Sequence, residues 1–158
     1  MILEISTELE CSAERAWQEV QTTRLLEYVA HPLLVFDPIE PQTWPEIWRE
    51  GEYLSRMRLL GIIPFGKQCI AISMPDGGSA SAKGEYRVRD NGYGDMVKKW
   101  DHLIVIEEVA DGITRYTDRL EIEAGILTPV VWLYARVFYR HRQARWRKLA
   151  KSDFDYSK

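Results

Sequence analysis

A chain of 158 residues, 46% hydrophobic and 28% charged, has the composition of one globular domain with enough apolar material for a sizeable core. Its formal net charge of −3 argues against a general nucleic-acid binder, which needs clustered Lys and Arg on one exposed face. Cys11 and Cys69 stand far apart and outside any CxxC pair, which argues against a disulfide framework or a cysteine zinc site and fits a reducing cytoplasm.

Residues 2–10 alternate Leu3, Ile5, Thr7 and Leu9 against Glu4, Ser6, Glu8 and Glu10, the pattern of a strand with one wet face. They carry no basic leader and no long apolar run of the kind a secretory signal needs. Ser12 is placed to cap the helix SAERAWQEV, and a second short helix over residues 23–30 must stop by Pro32. Pro32, Pro38, Pro41 and Pro45 punctuate the next stretch, which has room for one short strand at 33–36.

Five longer strands follow at 47–60, 65–74, 79–89, 96–109 and 113–124. Gly61 to Pro64, Asp76-Gly77-Gly78, Asp90-Asn91-Gly92 and Asp111-Gly112 supply the turns of an antiparallel meander. Strand 79–89 is expected to set Ala80, Ala82, Gly84, Tyr86 and Val88 on one face, leaving space there for a cavity or for a closely packed helix. After Gly125 the period changes, and Pro129 suits the first turn of a helix running from Val130 to about Lys151. That helix begins in the most apolar stretch, ILTPVVWLYARVFY, which is too short for a bilayer span and holds Pro129 and Arg136. A strand, two helices, several antiparallel strands and one long helix make an α+β class in which the sheet wraps the last helix.

The stretches WREGEYLSRMRLLGIIPFGKQCIAI (48–72), TRYTDRLEIEAGILTP (114–129) and RHRQARWRKLA (140–150), in this order of elements, resemble the helix-grip fold of the START-like (SRPBCC) superfamily. That superfamily includes polyketide cyclase/dehydratase-like proteins. The resemblance covers residues 1–158 as a single domain. It implies a curved sheet gripping the carboxy-terminal helix around an apolar cavity, a lipid- or polyketide-like ligand, no cofactor, and no universal catalytic set.

Alternation puts Trp100 and His102 on the sheet face of Ile104 and Ile106, and Tyr116 and Asp118 on that of Leu120 and Ile122. A hairpin closed at residues 110–112 places His102 opposite or diagonal to Asp118. A carboxylate there favours the protonated ring, fixes its tautomer and leaves one nitrogen for a ligand. The pair is a candidate acid/base couple for a cyclase or dehydratase; the alternatives are core residues that satisfy each other, or polar points that orient a ligand. His31, His102 and His141 lack the close spacing of a helical metal site, so no metal is expected. No Gly-x-Ser-x-Gly elbow, GxGxxG or Walker spacing is present. The expected cavity lining is Tyr53, Gln68, Tyr86, Trp100, His102, Tyr116, Asp118, Tyr134 and Phe138; Arg142 and Arg145 turn toward the apolar side, where either is placed to hold a ligand carboxylate or simply to snorkel to water.

Between Glu123 and Asp153 there is no acid, whereas Arg136, Arg140, Arg142, Arg145, Arg147, Lys148 and Lys151 are basic. This either complements the helix dipole and an acidic sheet or presents a surface to acidic lipid, RNA or an acidic partner. With Val130, Leu133, Tyr134, Val137 and Phe138 read as core-facing, the stripe of Trp132, Tyr139 and Trp146 is left to cap the cavity mouth or meet a second copy in a homodimer. Three functions follow as expectations: a binder of a small hydrophobic or amphipathic ligand, a proton-transfer enzyme, and an interaction module working as a homodimer or at a membrane surface.

Overall fold

A computed structural model describes residues 1–157. Strand β1 (Ile2–Leu9) leads into helices α1 (Ala13–Val20) and α2 (Thr23–Ala30). Ser12 caps α1 by accepting from the Arg15 N–H at 3.2 Å, and Thr22 caps α2 by accepting from Leu25 at 3.3 Å. Strands β2 (Leu34–Glu40), β3 (Gly51–Leu59), β4 (Ile63–Ser73), β5 (Tyr86–Gly94), β6 (Lys99–Ala110) and β7 (Ile113–Glu123) follow. A single 3-10 turn at Gly125–Leu127 then opens into α3 (Thr128–Lys151).

All seven strands join one antiparallel sheet in the order β1-β7-β6-β5-β4-β3-β2, so the class is α+β, with the long helix held against a curved sheet. β2 is an edge strand, which is how it accommodates Pro38. No helix among the described residues is long and apolar enough to cross a membrane.

Two expectations need correction. Residues 79–85 are not strand; they belong to a turn-rich link in which Ala80, Ala82 and Gly84 are exposed, so they open no interior space. Conversely, Asp90-Asn91-Gly92 lies inside β5, and the chain reverses later, where the Gly94 N–H donates to the Val97 carbonyl at 2.8 Å. The glycines serve close approach to β4. A Cβ on Gly92 would sit 2.8 Å from the Cys69 carbonyl oxygen, and one on Gly94 would collide with that of Lys67.

The phase of α3 is also different. Tyr139 and Trp146 are core residues and Trp132 is half-buried, whereas Val130, Leu133 and Val137 are 67%, 59% and 55% exposed. Arg142 and Gln143 have to reach the buried Asp118, and that rotation carries Ala135, Tyr139, Trp146 and Leu149 inward with them. At 24 residues, α3 is about 36 Å long. Its close packing is against β1, β7 and α2. The half of the sheet formed by β3, β4 and β5 therefore lacks a helix backbone lying directly on it.

Candidate functional site

That uncovered half encloses a cavity of about 240 Å³ between the sheet and α3. Its walls are apolar: Leu34 and Phe36 from β2, Met57 and Leu59 from β3, Phe65, Ile70 and Ile72 from β4, and Val131, Tyr134 and Phe138 from α3. Gln68, Asp90, His102 and Arg142 are the charged or amide- and imidazole-bearing residues in the lining, and they come from four different elements. Such a ratio of apolar wall to a few polar groups is typical of small-molecule pockets.

Behind the wall lies a fully connected polar network. Register pairs His102 with Leu120 and Ile104 with Asp118, so His102 and Asp118 are diagonal neighbours, and His102 Nε2 meets Asp118 Oδ1 at 2.8 Å. The Tyr116 hydroxyl donates to the same oxygen at 2.9 Å and accepts from Arg142 Nη2 at 3.0 Å. Gln143 Nε2 donates to Asp118 Oδ2 at 2.9 Å and to the Ile5 carbonyl at 2.8 Å. Arg142 Nε stands 3.9 Å from Asp118 Oδ1, an ion-pair distance too long for a hydrogen bond.

The electrostatics follow from this arrangement. Burial alone would raise the Asp118 carboxyl, but Arg142 and the hydrogen bonds from His102 and Gln143 outweigh it and hold the group below its ordinary value. Burial lowers His102, and the opposing pull of Asp118 does not restore it. Burial acts to lower Arg142 too, yet Tyr116 and Asp118 raise it, so the guanidinium keeps its proton. An ionised Asp118 only accepts, so the neutral imidazole carries its hydrogen on Nε2. Nδ1 is then an acceptor, and no partner within the described residues reaches it.

Asp90 is the group that the sequence reading assigned to a turn. It pairs directly with His102 across β5 and β6, and its Oδ1 accepts from the Ala71 N–H at 2.8 Å. That bond replaces a ladder contact, since the β4–β5 pairing is interrupted between Cys69 and Ile72. Burial pushes the Asp90 carboxyl up to about 7, with the Ala71 bond and Arg142 offsetting part of the effect. Running the period-two pattern on from Val88 through Asp90, Gly92 and Gly94 would have placed it inside. Trp48, also in the lining, was not among the expected site residues either, whereas Tyr139 comes from the stripe expected at the cavity mouth.

Of the expected lining, Gln68, Trp100, His102, Tyr134, Phe138 and Arg142 border the cavity. Tyr116 and Asp118 belong to the network behind it. Tyr53 lies elsewhere, edge-on to Trp48 with its hydroxyl bonded to the Arg49 backbone, and Tyr86 stacks on Trp17 at 5.2 Å. Arg145 is held by the Tyr28 carbonyl at 2.7 Å, so neither it nor buried Arg142 contributes to an outer basic face. Arg136, Arg140, Arg147, Lys148 and Lys151 remain exposed along α3. Among the described residues no group of three or more His, Cys, Asp or Glu is arranged to hold a metal ion.

No protein-family model matches the sequence, and no curated protein matches it. Solved structures do resemble the fold. A START superfamily protein from Mycobacterium smegmatis is 15% identical, with 96% of this chain and 97% of that one covered and a TM-score of 0.62. A conserved protein from Geobacillus kaustophilus is 18% identical over 96% of both chains, with a TM-score of 0.64. The AHSA1 protein from Silicibacter pomeroyi is 12% identical, covering 97% of this chain and 99% of that one, with a TM-score of 0.66. At these identities the likeness speaks for architecture, and with the strand order and long terminal helix it establishes that the chain has a START-like helix-grip fold.

Proposed function

We propose that this protein binds a small, mostly apolar ligand, lipid- or polyketide-like in character, in the cavity between the sheet and α3. The observation that carries the reading is the lining itself: an apolar chamber of about 240 Å³ with its polar groups drawn from β4, β5, β6 and α3. A chamber meant only as core would be filled by side chains, because interiors pack to near-crystalline density. The likeness to a START superfamily protein supports the same reading.

Native mass spectrometry of the freshly purified protein, followed by organic extraction, tests it. A retained small molecule, or quenching of the cavity tryptophans Trp48 and Trp100 by added amphiphiles, is the expected result. Protein that is empty and indifferent to every amphiphile offered would remove the reading.

One observation favours a second function. His102 is neutral, oriented by Asp118, and borders the cavity with Nδ1 unengaged, which is the arrangement of a general base in a cyclase- or dehydratase-like reaction. Turnover of a polyketide substrate that survives His102→Ala unchanged across pH would dismiss it.

A further inference from the structure

At the polar end of the cavity, two residues of the lining carry buried donors without hydrogen-bond acceptors. Gln68 is 4% exposed and its Nε2 has no hydrogen-bond partner; neither has Nε of Arg142, which is 6% exposed. Leaving a buried donor unpaired destabilises the protein, and more so when the group is charged. Gln68 Nε2 and Asp90 Oδ1 converge, lying 2.9 and 3.1 Å from the point where Gly92 would carry a Cβ. Gly92 therefore keeps open the place where the amide and the carboxyl meet.

Deepening the cavity reading proposed above, on which it rests, we infer that this end is a carboxyl site: Gln68, Arg142 and Asp90 hold the head group of an apolar monocarboxylate. The unpaired nitrogens of Gln68 and Arg142 are donors, so the part of the head group that faces them must be rich in acceptors. A carboxylate brings two acceptor oxygens, one for Arg142 and Gln68 and one to share the Asp90 proton. An alcohol satisfies fewer of these donors, an ammonium opposes Arg142, and a phosphate sets a second negative charge against Asp90.

The proton on Asp90 is what makes the charges agree. Arg142 is already balanced by Asp118, so an ionised Asp90 would leave the chamber negative and repel a carboxylate. Burial raises Asp90 to about 7, which makes the proton available near neutrality. The groups facing Asp90 do not compete for it. On β6 its cross-strand partner His102 is held neutral, and Asp101, on the opposite face, is paired with Arg89 at 2.6 Å. On α3, Arg142 keeps its charge and Tyr139 is raised by burial; on β4, Gln68 is neutral. Behind them, Tyr116 is raised well above its ordinary value.

The test is calorimetric binding of octanoate, with octanol and octylamine as chain-matched controls. Simple carboxylic acids have pKa values below about 5, so octanoate keeps its charge above that pH. Binding at least about tenfold tighter near pH 5.5 than near pH 8.5, with octanol unaffected, is expected. Titrations near pH 8 in two buffers of different ionisation enthalpy should report uptake of about one proton per octanoate. Asp90→Asn keeps an acceptor for the Ala71 N–H and imitates the protonated form; it should bind octanoate at high pH about as tightly as wild type at low pH. Gln68→Leu should weaken octanoate by about tenfold and leave octanol alone. Octanoate and octanol binding alike, with no proton taken up by the unmodified protein, overturns the carboxyl site and leaves the cavity reading standing. Failure of all three probes to bind takes both down.

Discussion

His102 and Asp118 stand two residues out of register on neighbouring strands, and their side chains meet at 2.8 Å with 4% and 0% of their surfaces exposed. The carboxylate also accepts from Tyr116 on β7 and Gln143 on α3, and Gln143 reaches on to β1. Asp118 therefore joins three strands to the long helix at the junction between two apolar clusters, one containing Tyr116 and Trp146 and the other Leu120 and Phe138.

Removing that hub should be costly. Asp118→Ala strands a buried guanidinium and several donors, and a loss of about 3–5 kcal/mol is expected from urea unfolding. His102→Ala removes one donor and should cost less. The reverse order would show that the carboxylate is not what the network depends on.

Two titratable groups of the cavity lining give opposite pH slopes. Asp90 is raised when folded, so its contribution is fully present below the unfolded value of about 3.9 and is lost as pH rises through about 7. His102 is lowered when folded, so its contribution is present above about 6.5 and is lost as pH falls through its folded value. The two offset each other in mildly acidic solution. Asp90→Asn should expose the histidine limb, with stability climbing as pH rises toward about 6.5, and should gain most over wild type above about pH 7. Denaturation series across pH for the two proteins check this, and parallel curves would refute it.

The glycines of β5 make an ordered pair of outcomes. Gly92→Ala sets a methyl against the Cys69 carbonyl and the mobile end of Gln68, whereas Gly94→Ala sets one into the Lys67 carbonyl and the Gln68 backbone. Overpacking against a strand that cannot yield costs about 1–3 kcal/mol. Gly94→Ala should sit at or beyond the upper end, measured by urea midpoint, and Gly92→Ala below it.

Helix phase can be read by substitution as well. Leu133→Lys, on an exposed position, should change stability by no more than about 0.5 kcal/mol. Ala135→Leu, on a position with no exposure, should lose about 1–3 kcal/mol. Thermal unfolding of both variants distinguishes this phase from one rotated by two residues.

The architecture was legible because its signals are local: the alternation of residues 2–10, the Ser12 cap, the Asp111-Gly112 turn and the change of period at Pro129 each act over a few residues. Even the meeting of His102 and Asp118 followed from counting back from one hairpin. Asp90 escaped because Asp-Asn-Gly has the chemistry of a turn, and only the nearness of β4 reveals that the glycine serves packing. The rotation of α3 escaped for a related reason. Val130, Leu133 and Val137 satisfy an apolar stripe as well as the true one does, and the choice is made by Arg142 and Gln143 reaching a carboxylate more than twenty residues away in the chain.

The sheet also imposes an order of assembly. Ile2 pairs with Glu121, so β1 finds its ladder neighbour only after β7 has emerged from the ribosome, while β2 to β6 already adjoin their sequence neighbours. The helix that covers β1 comes later still. Loop-closure entropy rises slowly with length, but contacts this distant slow the search for the native pairing. β1 thus waits, unpaired, until β7 has been made, and the cavity is complete only once α3 has packed against β1.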